Sequence, residues 1–595
     1  MTTNRSRSLF MQPFAAVAAV LMTGSLSLAG CSGQNADEFA TPDGEPAKFS
    51  GQVQDEAGKP IEQAMVILSG GKFNGADTLT LFSDEEGRFA VEDITLAGSL
   101  DQIKAVVDTV GLDAGTAKYS SDAGALKIDI ATTRLDDVAA QVPPSFWLRN
   151  MPDSNEHRQF ISLCGNACHG IPTPKVQAFA ASLQGLDREQ RADLWQQVGL
   201  DMKQRYPLIF PDKKPATVMS IDVDASAYDL FSDDILARFK YHLADHFPTS
   251  FDKLDAKLFS YGAPIGYNSG SLVQEFKMPE GALVRELDFV PDNDNVWVVD
   301  YRQGKLGKLN IASGKQKWID LPGDDPGPHT ISPTEDGRLL IALMDYPAIV
   351  MFDPKTEKFE IFDKVPPRSD VHDITLDNMR NAAMDKDGGI WLTLASMNKL
   401  ARLDMKTGEV QTFDAPLSNG RSVELIALYS AVMTSDKKHI WYTQLFGGVG
   451  SFNIETSEFE SYFEFPYGDS PHRMAISDND IVYVPLSGAG EVVAIDTKTS
   501  KVIRKYPLPD RKSSPYNLSW DQGRKVLWVG TSSSNLFYKL EPESGKFEVF
   551  PIPRNETFYR MITPHHETGD IWSSYAAYLP DGTAPSYVIR IKPGD

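Results

Sequence analysis

The second half of the chain repeats itself, and this repeat limits the possible folds more than any other feature. From residue 270 onward, apolar segments that often hold tryptophan recur at roughly 43 to 51 residues, the spacing of a four-stranded propeller blade. The seven segments are "NVWVVDY", "RLLIALM", "GIWLTLA", "HIWYTQL", "IVYVPLS", "VLWVGTS" and "DIWSSYA". The sequence therefore predicts a seven-bladed β-propeller over residues 268–595.

The two ends of this repeated region complement each other. The last unit stops at "YVIRIKPGD" without an outer strand, whereas the region begins with the unattached segment "LVQEFKMPEG". An incomplete ring would expose an open strand edge. We therefore expect the first segment to pair with the last unit and to close the propeller.

Residues 48–135 alternate apolar and polar positions between turn signals, which predicts a small β-sandwich. The stretch "GQVQDEAGKPIEQAMVIL", followed by "SDEEGRFAVEDI", resembles the carboxypeptidase regulatory-like domain. Domains of that family are usually structural or adhesive. The resemblance therefore implies no chemistry for this region.

The N-terminus has the features of a bacterial secretion signal. A basic start, "MTTNRSRS", precedes a short apolar run and Cys31. The tetrapeptide "LAGC" resembles the lipobox, which implies that residues 1–30 are removed, that Cys31 carries a lipid, and that residues 31–47 form a linker. An ordinary signal peptide or a transmembrane anchor is the alternative. The resemblance implies a periplasmic or cell-surface protein that is tethered to a membrane, with the outer membrane favoured.

The overall charge bears on the choice of partner. The net charge is −23 at pH 7, and a strongly acidic chain is repelled by a phosphate backbone. We therefore expect no nucleic acid partner.

Residues 150–250 change to a helical period and hold two of the three cysteines. Cys164, Cys168 and His169 lie in "LCGNACHG", a C-x-x-x-C-H pattern that is one residue longer than the usual haem c attachment motif. A disulfide would suit an oxidising compartment but needs a local break in the helix, and zinc would need two further ligands. Spacing alone leaves open whether these residues hold a haem, form a disulfide or do neither.

The same span resembles small mono-haem cytochrome c domains, with "FISLCGNACHG", "LWQQVGLDM" and "FSDDILARFKYHLADHF" as the matching segments. The resemblance implies a small all-α domain in which Cys164 and Cys168 hold a covalent haem c. His169 would be the proximal ligand of the iron and Met202 the distal ligand, with Met219 as the second candidate. Histidine opposite methionine suits electron transfer.

The start of each innermost propeller strand supplies a candidate site. Seven such strands converge on one axis, so their first side chains should surround the mouth of the central channel. Aligning the units gives Arg285, His329, Arg380, Tyr429, His472, Tyr516 and Tyr559, with Arg473 and Arg560 among their neighbours. This basic and aromatic set predicts a site for a small anionic or polar ligand or for a redox partner. A water-filled polar mouth is the alternative.

The propeller also resembles the streptogramin (virginiamycin B) lyase family, through "PGPHTIS", "DSPHRMAIS", "DGGIWLTLA" and "TGDIWSSYA". That family opens a cyclic depsipeptide by elimination with a magnesium ion and a histidine base, which makes His329 and His472 the catalytic candidates here. Candidate carboxylates for magnesium are Asp300, Asp345, Glu286 and Glu424. Only two of the positions after the tryptophan strands are acidic, which puts the magnesium site in doubt.

Taken together, the modules predict a membrane-tethered c-type cytochrome lipoprotein that transfers electrons and whose propeller binds a ligand or a redox partner. Whether it is an enzyme stays open at this point. The alternatives are a lyase-like enzyme that acts by metal-assisted elimination and a non-catalytic binding or scaffold protein.

Overall fold

The computed structural model describes residue 39 and residues 41–594, with gaps at 163–170, 206–232, 291–293, 367–370, 418–426, 555–558 and 576–584. Within these residues, no helix is both long enough and apolar enough to cross a membrane. From Phe39 onward the chain forms one compact unit.

Two β-sheets share the N-terminal core. One sheet has the strand order β3-β5-β1-β8-β7, and β4-β2-β6 belong to the other. The strands are β1 (Glu45–Asp55), β2 (Met65–Ser69), β3 (Lys72–Phe73), β4 (Thr78–Phe82), β5 (Arg88–Ala97), β6 (Lys104–Val107), β7 (Thr116–Asp122) and β8 (Ala125–Thr132). Alternate residues such as Phe49, Val66 and Leu68 are buried between the sheets. The likeness to the carboxypeptidase regulatory-like family stays a prediction.

Four helices follow the sandwich. They are α1 (Asn155–Phe160), α2 (Pro174–Ser182), α3 (Arg188–Arg205) and α4 (Asp233–His246). These helices agree with the helical period of residues 150–250. Trp195 of α3 and Phe247 after α4 pack at a ring distance of 4.7 Å in the core of this region. These helices do not by themselves establish a cytochrome c fold, which stays a prediction.

Antiparallel sheets of four strands make up most of the C-terminal half, as in a β-propeller. The first three are β10–β13 (Val284–Phe289, Asn295–Asp300, Lys305–Asn310, Gln316–Asp320), β14–β17 (Pro328–Pro333, Leu339–Leu343, Ala348–Asp353, Lys358–Phe362) and β18–β21 (Val371–Ile374, Gly389–Leu394, Lys399–Asp404, Val410–Asp414). The next three are β22–β25 (Ala427–Met433, His439–Leu445, Gly448–Asn453, Glu458–Glu464), β26–β29 (Ala475–Ile476, Ile481–Leu486, Glu491–Asp496, Lys501–Pro507) and β30–β33 (Pro515–Asp521, Val526–Thr531, Leu536–Glu541, Lys546–Pro551).

The predicted closure of this region is confirmed. The chain ends with β34 (Tyr559–Pro564), β35 (Ile571–Tyr575) and β36 (Tyr587–Lys592), and β9 (Leu272–Lys277) pairs antiparallel with β36. The innermost strands β10, β14, β18, β22, β26 and β30 each contact the next, and β34 contacts both β30 and β10. The innermost strands therefore form a closed cycle around one axis.

The other edge of β9 is also paired. Strand β4 of the sandwich lies antiparallel to β9, so one sheet runs from the last propeller strands into the sandwich in the order β34-β35-β36-β9-β4-β2-β6. Because both edges of β9 are satisfied, neither sheet ends there in an exposed edge.

A buried carboxylate lies at this junction. Glu275 of β9 is 1% exposed and accepts hydrogen bonds from Arg554 at 2.6 Å, from Thr78 of the sandwich at 2.7 Å and from the Tyr575 hydroxyl. Its side chain thereby connects the two sheet systems.

We predict that Glu275→Ala lowers the free energy of unfolding by about 3 kcal/mol, because it leaves Arg554 and Tyr575 without their buried partner. Urea denaturation followed by tryptophan fluorescence measures the change. Glu92→Ala is the matched control, since its 3.1 Å pair with Lys48 is exposed and surface pairs contribute about 0–1 kcal/mol. Equal losses in the two variants would contradict a stabilising role of the junction.

Candidate functional site

Each innermost strand begins with one extra residue. Where it pairs with the second strand of its sheet, the register shifts by one position near its start, which is a β-bulge. Around β26 the same shift lies between the Pro471–Leu486 bridge and the Ala475–Tyr483 pair. The bulge positions hold Arg285, His329, His372, Tyr429, His472, Tyr516 and Arg560, which we call the bulge ring. Bulges redirect side chains, so this repeated irregularity accounts for their convergence.

The members of the bulge ring contact one another in sequence. The centroids of the side-chain rings lie 4.4 Å apart for His329 and His372, and 4.2 Å apart for His372 and Tyr429. His472 follows at 5.2 Å from Tyr429 and 5.1 Å from Tyr516. The two tyrosine hydroxyls are 2.6 Å apart.

The residues one position further along form a second layer, in which charges pair. Arg473 is 4% exposed and lies 2.6 Å from Glu286 and 3.8 Å from Asp373. Arg285 and Arg560 of the bulge ring add two further positive charges to this cluster, and Arg285 lies near enough to Glu286 to influence its ionisation. The five charges therefore sum to about +1 with both carboxylates ionised.

Burial decides the protonation states of this cluster. Burial raises the pKa of Glu286 to about 7, although the charge of Arg473 opposes it. Burial and then the nearby Arg285 hold the pKa of His329 well below its usual value, and burial and then Arg473 do the same for His372. Both imidazoles are therefore neutral at pH 7.

Tyr516 is unusually acidic for a buried tyrosine. Burial raises its pKa, but Arg560, Arg473 and Arg285 together with a hydrogen bond from Tyr429 outweigh burial, so the pKa lies below its ordinary value. By contrast, burial raises the pKa of Tyr429 well above its ordinary value. Tyr429 is therefore the donor and Tyr516 the acceptor when Tyr516 ionises.

Several buried polar atoms of this cluster have no hydrogen-bond partner among the described residues. They are Nε2 of His329, both ring nitrogens of His372, Oε2 of Glu286, and Nε and Nη1 of Arg473. Buried polar atoms are normally satisfied by protein, water or ligand. The cluster can thus donate to and accept from a bound molecule.

The structure corrects two of the predicted channel positions. Arg380 is not at the start of an innermost strand: it follows β18 in a turn with a positive φ of 66°. Its guanidinium lies deeper in the channel, 3.1 Å from Asp288 and 2.6 Å from Ser519. Tyr559 packs between propeller sheets against Phe537 at 4.7 Å, and Arg560 takes its place in the ring.

His372 is the ring residue that the sequence reasoning missed. It occupies the bulge of β18 in "VHDI", eight residues before Arg380, which was aligned instead. The histidine preceded by an apolar residue, as in "GPHTIS" and "SPHRMAIS", was the available signal.

The candidate metal carboxylates do not form a magnesium site. Asp300 accepts backbone N–H groups of Leu283, Arg302 and Gln303, and Asp345 accepts the Tyr301 hydroxyl at 3.1 Å. Within the described ranges, no group of three or more histidine, cysteine, aspartate or glutamate side chains is placed to hold a metal. Since Glu286 pairs with Arg473, the described residues do not fit the expected ion, and Glu424 lies outside them.

The predicted haem and lipid residues also lie outside the described part of the chain. These are Cys31, Cys164, Cys168, His169, Met219 and the side chain of Met202. They stay predictions.

The helical region covers the bulge ring. Tyr429 and Tyr516 belong to the same apolar cluster as Phe160, Phe239 and Phe247 of the helices. At the end of α1, Ser162 donates a hydrogen bond to the carbonyl of Gly468 at 2.7 Å, and Arg158 lies 2.7 Å from Asp469. The end of α1 and Ser162 thus lie directly beside the propeller.

Comparisons with known proteins bear on the propeller alone. Residues 279–533 match the family described as the SMP-30/gluconolactonase/LRE-like region. Together with the four-stranded sheets, this match supports a β-propeller of this type in the C-terminal half. No curated protein matches the chain.

Solved structures of lyases show a distant likeness. Selenomethionine-substituted virginiamycin B lyase from Staphylococcus aureus is 16% identical with a TM-score of 0.45, and the alignment covers 54% of this chain and 99% of that one. A streptogramin B lyase structure is 15% identical with a TM-score of 0.45, over 54% of this chain and 98% of that one. A catalytically inactive variant of the Staphylococcus aureus enzyme with quinupristin is 16% identical with a TM-score of 0.44, over 53% and 99%.

We predict that His472→Gln makes the protein less sensitive to acid. Burial lowers the pKa of His472 to about 4, so the unfolded chain binds the proton first and stability is lost as the pH falls from about 6.5 toward 4. Between about pH 7.5 and 5.5 the variant should lose about 1 kcal/mol less of its unfolding free energy than the wild type. Urea denaturation at both pH values measures this, and equal losses would show that His472 is not buried as described.

Proposed function

We propose that the bulge ring binds a small organic molecule that carries a carboxylate or another oxyanion, and that it removes a proton from this molecule in a lyase-type elimination. The observation that supports this most is the meeting of three buried arginines, two neutral imidazoles and one acidic tyrosine in one cluster. The same closed cycle of innermost strands supports our proposal of seven propeller blades.

Charge favours an anionic ligand. The chain carries −23 overall, yet Arg285, Arg473 and Arg560 exceed Glu286 and Asp373 by one charge in this buried cluster. Nε and Nη1 of Arg473 are donors without a hydrogen-bond partner among the described residues. A guanidinium with two available N–H groups suits a carboxylate or phosphate oxygen.

A bound anion would also prepare the base. Arg285 and Arg473 contribute to the low pKa values of His329 and His372. An anion between these arginines offsets part of their charge, which raises the histidine pKa toward the range where a general base works well. Base strength then depends on ligand binding, and an empty site holds weak bases.

His329 or His372 takes a proton from the carbon beside the bound carboxyl or carbonyl group, and the C–H electron pair becomes a carbon–carbon double bond. The bond from the next carbon to a leaving oxygen breaks with its electron pair, and the Tyr516 hydroxyl protonates that oxygen. Arg473 stabilises the negative charge that develops on the carbonyl oxygen. The proton on the imidazole then returns to Tyr516.

We predict that Tyr516→Phe slows elimination about 100-fold, because the leaving oxygen loses its proton donor. Quinupristin is the first test substrate, since the lyase resemblance implies a cyclic depsipeptide, and mass spectrometry with absorbance detects ring opening at unchanged mass. Tyr506→Phe is the control, because Tyr506 lies on the outer strand β29, where its hydroxyl donates to the Pro542 carbonyl at 2.9 Å. Full activity of Tyr516→Phe would contradict the assigned role. A wild-type chain that neither opens nor binds quinupristin or simpler carboxylate esters would contradict the function.

A second candidate function is electron transfer through a covalent haem in the helical region. The donor set of two thiols and one imidazole fits haem c, and the flanking helices supply an apolar, aromatic surrounding through Phe160, Trp195 and Phe247. Cys164 and Cys168 would hold the porphyrin, and His169 with Met202 would bind the iron. The haem would supply one-electron transfer.

The same proposal places the protein at a membrane. Cys31 would carry the lipid, and the tethered chain would face the periplasm or the cell surface with a redox protein as its partner.

We predict that the wild-type chain, matured in a host that assembles c-type cytochromes, keeps a haem stain after denaturing electrophoresis. Cys164→Ser combined with Cys168→Ser should abolish the stain, because both thioether bonds are lost. Cys31→Ser, which removes only the lipid site, should keep it. A colourless wild-type chain with Cys164 and Cys168 joined by a disulfide would exclude this second function and leave the elimination proposal untouched.

A further inference from the structure

A cavity whose lining includes no residue of the bulge ring lies between the segment before α1 and the propeller. Its volume is about 400 Å³, which lies within the range of small-molecule sites. Its walls come from the segment before α1, the segment before β9 and the turns that follow β27 and β29. The charged side chains of these walls are Arg149, Arg511 and Lys512 against Asp153 and Asp510.

The first of the two carboxylates is already satisfied. Asp510 is buried and accepts the Ser145 hydroxyl at 2.8 Å and the backbone N–H of Lys512 at 3.1 Å. Arg149 lies 3.8 Å from it and donates to the Ser260 carbonyl at 2.8 Å. The Asp510 carboxylate therefore has few acceptor positions left for a ligand in the cavity.

The second carboxylate is also engaged. Asp153 accepts two hydrogen bonds from Arg158, at 2.8 and 3.0 Å, and lies 3.6 Å from Arg511. Arg511 in turn donates to the Ala489 carbonyl at 2.7 Å. Both arginines are thus held in place at the cavity wall.

Lys512 is the cation of the cavity wall for which the described residues provide no ion-pair partner. Among the described residues, no carboxylate lies within 4 Å of its ammonium group, although the side chain is half-buried. Burial lowers its pKa to about 8, with Arg511 and Arg158 acting in the same sense against Asp153 and Asp510. A half-buried ammonium without a counterion is costly, and an anion in the cavity would remove that cost.

We propose that this cavity binds a small molecule that carries a phosphate or carboxylate group, with Lys512 as its main charge partner and Arg149 and Arg511 beside it. The site adds a second ligand to this chain and does not depend on the chemistry of the bulge ring. Three cations against two engaged carboxylates, on a chain that is otherwise acidic, favour an anion over a neutral guest.

The test uses the reactivity of lysine amines on the full-length chain. Lysines are acetylated at about pH 8 with a short pulse of reagent, and mass spectrometry follows each site with and without inorganic phosphate or succinate. We expect either anion, or both, to slow acetylation of Lys512 about tenfold. The exposed Lys48 should react at the same rate throughout. Protection of Lys512 by neither anion would overturn the proposal.

Variants make the test independent of labelling. Isothermal titration of the protective anion should show binding that Lys512→Met weakens about tenfold or more, because a charged hydrogen bond is lost, and that Lys512→Arg largely restores. Circular dichroism confirms that both variants are folded. Unchanged affinity in Lys512→Met would overturn the assignment, even if the wild-type chain binds phosphate.

Discussion

One extra residue at the start of each innermost strand is the constraint on which the candidate site depends. In a regular antiparallel pair, successive side chains would point into the contacts between neighbouring sheets, and few would reach the axis. The bulge at His329, at His372 and at the equivalent positions changes this locally, so seven strands each deliver one side chain to the same place. The β-bulge recurs in every innermost strand, but the side chain at the bulge differs from strand to strand. The propeller can therefore place histidine, tyrosine and arginine in a fixed order around its axis.

The charges beneath the ring then set its chemistry. Arg473 is held between Glu286 and Asp373, and removing such a charge from water is compensated only where the pairing is close. Because the arginines exceed the carboxylates, the cluster disfavours protonated histidine and favours ionised Tyr516. Burial and the excess of arginines together keep the imidazoles neutral, whereas at Tyr516 the arginines act against burial and lower the pKa of the hydroxyl. An anionic ligand that corrects the imbalance would change both together.

The sequence predicted the parts of this protein that depend on local pattern. The period of the repeats and the pairing of β9 with β36 both follow from residue spacing. The pairing of β4 with β9 could not be predicted from the sequence, because it joins backbone groups of two distant strands and needs no particular side chain. His372 was missed because the unit from Val371 to Leu394 offers two candidate strand starts, and only the register with β19 separates them.

The position of the helices has a consequence for any ligand of the ring. Tyr429 and Tyr516 pack against helical residues on one side, and Arg380, bound to Asp288 and Ser519, fills the channel on the other. Ring residues are at most 8% exposed, so a ligand reaches them only when one of these contacts opens. Either opening would separate an ion pair, because Arg380 pairs with Asp288 and the helical region is held to the propeller by Arg158 and Asp469 as well as by apolar contacts. Binding at the ring and the state of the helical region are therefore energetically coupled, whatever chemistry each performs.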